Sequence, residues 1–115
     1  NVSGSFKAAN TAKAWCRFSN TSGSIATVAS IGVSTISYNN SNYQYTINFS
    51  TPMVNTDYAV FISCGNNNST PPLQTRVGYD ILRQTTSVTI VLADGAGEML
   101  QDIPEGVSVM IFSLS

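Results

Sequence analysis

Residues 43–49 read YQYTINF, an unbroken alternation of apolar and polar side chains. Tyr43, Tyr45, Ile47 and Phe49 fall on one side and Gln44, Thr46 and Asn48 on the other, the period of two that an extended strand with one buried face requires. The same period recurs in shorter runs separated by clusters of Ser, Asn and Gly, which supply the positive-φ conformers of tight turns. Strands are expected over 13–18, 26–36, 43–50, 58–64, 73–80, 87–93 and 107–114. Turn signals fall between them at 20–23, 38–42, 52–57, 65–72 and 94–97. About seven strands and almost no helix predict an antiparallel β-sandwich. One helical turn fits at 98–102, between Gly97 and Pro104.

At 115 residues and 12.2 kDa the chain is long enough for one domain and one core. Residues 1–12 lack a period and read as a lead-in arm, leaving 13–115 as the folded domain. Charged residues make up 10% of the chain and hydrophobic ones 43%, with about a third Ser, Thr, Asn and Gln, so the surface is expected to be polar yet mostly uncharged. The net charge is −1, and Lys7, Lys13, Arg17, Arg76 and Arg83 are scattered. No basic stripe is present for phosphate neutralisation, which argues against nucleic acid as a partner. No apolar run reaches the 18 or so residues of a membrane-spanning helix.

The chain has no histidine. That removes the commonest general base, the Ser-His and Cys-His dyads and the commonest transition-metal ligand. A carboxylate pair such as Glu98 with Asp102 sits in a Gly- and Pro-flanked loop, where solvated charge is the ordinary reading. Asp94 and Gly95 open like a calcium loop, but the alternating oxygen ligands that should follow are missing. The chain is therefore expected to be no enzyme and to need no metal or cofactor. Cys16 and Cys64 lie inside strand patterns without metal-like spacing and read as buried free thiols, a disulfide being the alternative. Six N-x-S/T sequences, at Asn1, Asn20, Asn39, Asn48, Asn67 and Asn68, are what chance gives in this composition.

The last strand bears on assembly. Val107, Val109 and Ile111 alternate with Ser108, Met110, Phe112 and Leu114, so apart from Ser108 neither face suits water. A loop is one possible second cover; a subunit interface is the more economical one. Ala14, Cys16 and Phe18 make a core face, which places Trp15 and Arg17 on the opposite side. Trp15 lies there either under a neighbouring loop or in the same interface.

Three segments, KAWCRF at 13–18, ASIGVSTISYNNSNYQYTINFSTPM at 29–53 and DYAVFI at 57–62, resemble in order and spacing the C-terminal domain of bacteriophage tail fibres. That family runs through a KAWVNF-like strand, an AS-x-x-VSSI strand, a DNGTGDY-like turn, a TVNFTTAM-like strand and an NYAV-like strand. Arg76 and Val77 match a recurring RV pair, and Asp102 with Val107, Val109 and Phe112 fits its ending. The chain departs from the pattern at Cys16 in place of Val, at Val28 in place of Arg, and in having Leu114 and Ser115 after a Phe that is normally followed by Gly. The resemblance implies a homotrimer at the tip of a fibre, on the virion and acting outside the cell, with a shaft preceding residues 1–12. Trp15, Met110, Phe112 and Leu114 would then face the trimer partners. The implied ligand is a bacterial surface glycan or an outer-membrane protein. Amides, hydroxyls and an aromatic face suit a sugar, which makes Tyr38, Asn39, Asn40, Asn42 and Tyr43 in one loop, and Asn66, Asn67, Asn68, Ser69 and Thr70 in another, the candidate contacts. Tyr79, Arg83 and Gln84 are secondary candidates. The resemblance also admits a purely structural trimerisation cap, with recognition elsewhere on the fibre.

Overall fold

The computed structural model describes residues 12–64, 76–94, 98–100 and 103–113. These form eight strands: β1 Ala14–Thr21, β2 Ser24–Ile31, β3 Val33–Asn39, β4 Gln44–Phe49, β5 Ala59–Cys64, β6 Arg76–Arg83, β7 Ser87–Asp94 and β8 Ile103–Phe112. They make two antiparallel four-stranded sheets, one in the order β2-β1-β8-β5 and the other in the order β3-β4-β7-β6. No helix occurs among the described residues. One core is shared by the two sheets: Ala14, Cys16, Phe18, Val107, Val109 and Ile111 come from the first, and Tyr45, Ile47, Phe49, Val88, Ile90 and Leu92 from the second. The alternation in 43–49 thus buries Tyr45, Ile47 and Phe49, as a half-covered strand must.

The expected strand over 26–36 is two strands. Gly32, at φ +72, is the single residue between β2 in the first sheet and β3 in the second. A Cβ there would lie 2.5 Å from the Lys13 carbonyl oxygen, so the corner needs glycine for both its backbone angle and its close approach. The helical turn expected over 98–102 is absent at its described residues, 98–100. Met99 bridges Ala93, the Asp94 amide donates to the Glu98 carbonyl at 2.9 Å, and the Leu100 amide donates to that of Leu92 at 2.7 Å. Backbone pairing to β7 outcompetes one isolated helical turn there. β8 begins at Ile103, four residues before the expected start, and tolerates Pro104 because the pairing with β1 is irregular between Phe18 and Asn20.

Asn20, expected in a turn, belongs to β1 and is buried; the turn is Ser22–Gly23, with φ of 53° and 88° at its two residues. Two successive positive φ values make the type I′ geometry that matches the twist of a two-residue hairpin. Cys16 and Cys64 are both free thiols. They pair with Val109 and Val107 from opposite sides of β8. Two strand spacings of about 4.8 Å hold their backbones beyond the roughly 7 Å that a disulfide spans. Of the expected lead-in arm, residues 1–11 lie outside the described residues.

The second long side of the molecule closes at Gly78 in β6. A Cβ at this position would meet Ile62 Cγ2 of β5 at 2.3 Å and Leu92 Cδ2 at 3.0 Å, so the absent side chain is what lets the edge of one sheet rest on the other.

Candidate functional site

The two sheets turn faces of different chemistry outward. On the first sheet, register aligns Ile31 with Trp15, Trp15 with Met110, and Met110 with Phe61, a row of four apolar side chains crossing all four strands. Ile31 is 68% exposed, Phe61 55% and Met110 36%, while Trp15 is half-buried. Phe112, one row along, packs edge-on against the Phe61 ring with centroids 5.7 Å apart. The next row is polar: Arg17 Nη1 donates to Ser108 Oγ at 2.8 Å. Trp15, Met110 and Phe112, expected at an interface, therefore share one surface. Leu114 lies outside the described residues. Ile31 and Phe61 complete the row and were not picked out in the sequence, because which residues stand opposite Trp15 and Met110 depends on the register of strands distant in the chain.

The second sheet is polar outward on β3 and β4, while the outward residues of β7 (Ser87, Thr89, Val91 and Ala93) are buried and those of β6 (Val77, Tyr79 and Leu82) are exposed and apolar. Its outward rows are Thr35–Asn48–Ser87, then Ser37–Thr46–Thr89–Leu82, then Asn39–Gln44–Val91–Tyr79. Asn48 Nδ2 donates to Thr35 Oγ1 at 3.0 Å, and the Thr46 and Thr89 hydroxyls approach to 3.4 Å. Tyr79 closes one row with 55% of its surface exposed. The β6 and β7 charges Arg76, Asp80, Arg83 and Asp94 pair with Asp94, Ile90, Val88 and Arg76, all in the inward phase. By register, then, no Asp, Glu, Lys or Arg of the described strands is in the outward phase of this sheet, and Arg83, exposed at the β6 edge, is tied to Asp80.

The loop expected to hold ligand joins β3 to β4. Asn39, Asn40 and Asn42 are exposed, and Tyr43 is half-buried at φ 58°. Asn39 Oδ1 accepts from the Ser41 amide at 2.9 Å and Asn42 Oδ1 from the Gln44 amide at 3.3 Å. These side chains build the turn itself. Tyr38 points inward, its ring 4.6 Å from that of Tyr45, as the alternation along β3 demands. The second candidate loop, Asn66, Asn67, Asn68, Ser69 and Thr70, lies outside the described residues.

Arg83 and Gln84 brace the β6–β7 connection. Arg83 bonds Asp80 through Nε, donates from Nη1 to the Tyr58 carbonyl at 2.9 Å, and lies over the Tyr58 ring 5.8 Å from its centroid. The Tyr58 hydroxyl reaches the Gln84 and Ser87 carbonyls at 2.8 and 3.1 Å. Burial pushes the Tyr58 hydroxyl above its usual pKa against smaller lowering effects of the Gln84 carbonyl and Arg83. The hydrogen bond to Asp80 raises Arg83 further. Among the described residues no group of three or more potential metal ligands converges. The Asp94 carboxylate accepts from the Glu98 amide at 2.9 Å, a turn contact.

Comparisons with protein-family models, curated proteins and solved structures gave no match to this chain.

Proposed function

We propose that this chain is a non-enzymatic host-recognition module, the distal domain of a bacteriophage tail fibre, a β-sandwich that works as a homotrimer on the virion. Its receptor in this reading is a bacterial surface glycan, with an outer-membrane protein as the other candidate. The observation that carries the proposal is the apolar row Ile31–Trp15–Met110–Phe61 with Phe112 beside it. A contiguous aromatic and aliphatic surface across four strands is a liability on a solitary chain and an asset between copies. In support, the segments that resemble the tail-fibre pattern fall on consecutive elements, β1, then β2 through β4, then β5. Three copies would also multiply weak sites into firm attachment.

Light scattering on the native domain tests the assembly. A mass near three chains supports the proposal, and a mass near one chain overturns the trimer and its avidity. Adsorption of the labelled domain to a panel of bacterial strains tests recognition, which fails if no strain binds it above a denatured control.

The structural-cap reading draws on one observation: the Asn39 and Asn42 side chains are engaged by the amides of their own turn. It predicts trimers that bind no cell.

A further inference from the structure

We propose that the outward face of the β3-β4-β7-β6 sheet is a binding platform for a neutral oligosaccharide, with Tyr79 as the stacking residue and Gln44, Thr46, Asn48, Thr35 and Ser37 as hydrogen-bonding residues. The inference rests on the recognition reading above and names a different surface from the β3–β4 loop. It joins two observations: the chemistry of the face and its charge.

A pyranose ring presents hydroxyls at its rim and C–H groups on its faces. A surface that holds it needs amides and hydroxyls at spaced positions beside an exposed aromatic plane. The face supplies both within one register row, where half-buried Gln44 and exposed Tyr79 stand on either side of Val91, which is itself buried and forms the floor between them. Four strands at about 4.8 Å and three outward residues per strand give a surface roughly 14 Å on a side, enough for a short run of sugar rings. Strands hold these side chains in fixed register, so little ordering cost falls on binding. The internal bonds orient the groups without using them up. Asn48 gives one N–H to Thr35 and carries a second N–H and a carbonyl oxygen besides.

Charge selects the ligand class. With no Asp, Glu, Lys or Arg in the outward phase of the described strands and the exposed Arg83 at the edge already paired with Asp80, the face offers a sulfated or carboxylated glycan no unpaired counter-ion, and a neutral one leaves no buried charge unpaired. The other sheet argues the same way by contrast. Its outward face is apolar at Trp15, Ile31, Met110 and Phe61, so copies meeting there leave the polar face directed at solvent.

The test uses the full chain on an array of neutral gluco-, galacto-, manno- and N-acetylglucosamine oligosaccharides, with sialylated and sulfated glycans alongside. The expected result is capture of at least one neutral oligosaccharide, changing less than twofold between 50 and 500 mM NaCl. Tyr79→Ala should weaken it at least tenfold and Asn48→Ala severalfold. Val54→Ala, an exposed apolar change in the loop before β5, should leave it intact. Circular dichroism and the melting temperature report whether each variant remains folded, and Thr46→Ala replaces any that does not. Three outcomes overturn the platform: capture of acidic glycans alone, no glycan captured while bacterial cells still bind through a protein receptor, or neutral-glycan binding that survives Tyr79→Ala and Asn48→Ala but is lost when loop 39–43 is replaced. The last two leave host recognition standing. Absence of binding to every glycan and every cell overturns both proposals.

Discussion

Asn20 Nδ2 donates to the Tyr45 hydroxyl at 2.8 Å, and both side chains are fully buried. The bond runs between strands of opposite sheets, β1 and β4, beside the contact of Phe18 with Tyr45 at 5.5 Å. It fixes how the sheets lie over one another at that end of the core. Tyr45→Phe removes the acceptor and leaves a buried amide hydrogen, with an expected cost of about 1–3 kcal/mol. Asn20→Leu in the Tyr45→Phe background should recover part of that loss, since the stranded amide hydrogen is removed with its side chain. Urea unfolding of the four proteins measures the coupling, and an additive result would contradict it.

Gly78→Ala forces a methyl group into the space held by Ile62 Cγ2. The expected loss is about 1–3 kcal/mol from overpacking. Ile62→Ala made in the same protein should recover part of it by removing the clashing branch, although alone it leaves a cavity. A Gly78→Ala melting temperature equal to that of the parent would show that the two edges have slack.

Cys16 and Cys64 should separate in labelling. Burial pushes the Cys16 thiol up to about 12, and burial raises that of Cys64 too, with Arg76 opposing. At pH 8 the folded Cys16 is then about one part in ten thousand thiolate. Iodoacetamide followed by peptide mapping should modify half-buried Cys64 first and Cys16 only after unfolding.

The same shift sets an alkaline limit. A pKa higher in the folded chain than the reference 9.0 means that the native state keeps its proton as the unfolded state loses one. This contribution to stability is complete below about pH 9 and is lost progressively towards pH 12. Cys16→Val, close in volume, should change stability at pH 7 by less than about 1.5 kcal/mol and lessen the decline above pH 9. Thermal melts from pH 7 to 10.5 check both halves.

Phe61→Glu and Ile31→Glu place charge on exposed positions of the apolar row, so the fold should persist while association of copies weakens at least tenfold. Sedimentation at several concentrations reads this. Variants whose mass equals that of the parent throughout would remove the row from the interface.

The alternation in YQYTINF disclosed β4 and its inward residues, and KAWCRF disclosed the faces of β1, because a strand with one buried side writes its register locally. Gly32 hid its role: a glycine inside an apolar run looks the same whether the strand continues or turns a corner, and only the nearby Lys13 carbonyl decides. Asn20 looked like turn chemistry since its acceptor, Tyr45, is 25 residues away. Tyr38 borders the Asn-rich turn and carries a polar tip, although its two-residue spacing from Ile36 puts it inward. The outward rows stayed hidden for a related reason. Trp15 meets Met110 across 95 positions of sequence, and the pairing of such strands is a property of the whole fold.

The one-residue corner at Gly32 leaves no spare chain between the sheets on that side, and the Gly78–Ile62 contact leaves no gap on the other. Sliding one sheet over the other would have to stretch the backbone at one edge or drive atoms together at the opposite edge. A load taken up on either outward face should therefore reach the other face as displacement of the entire box.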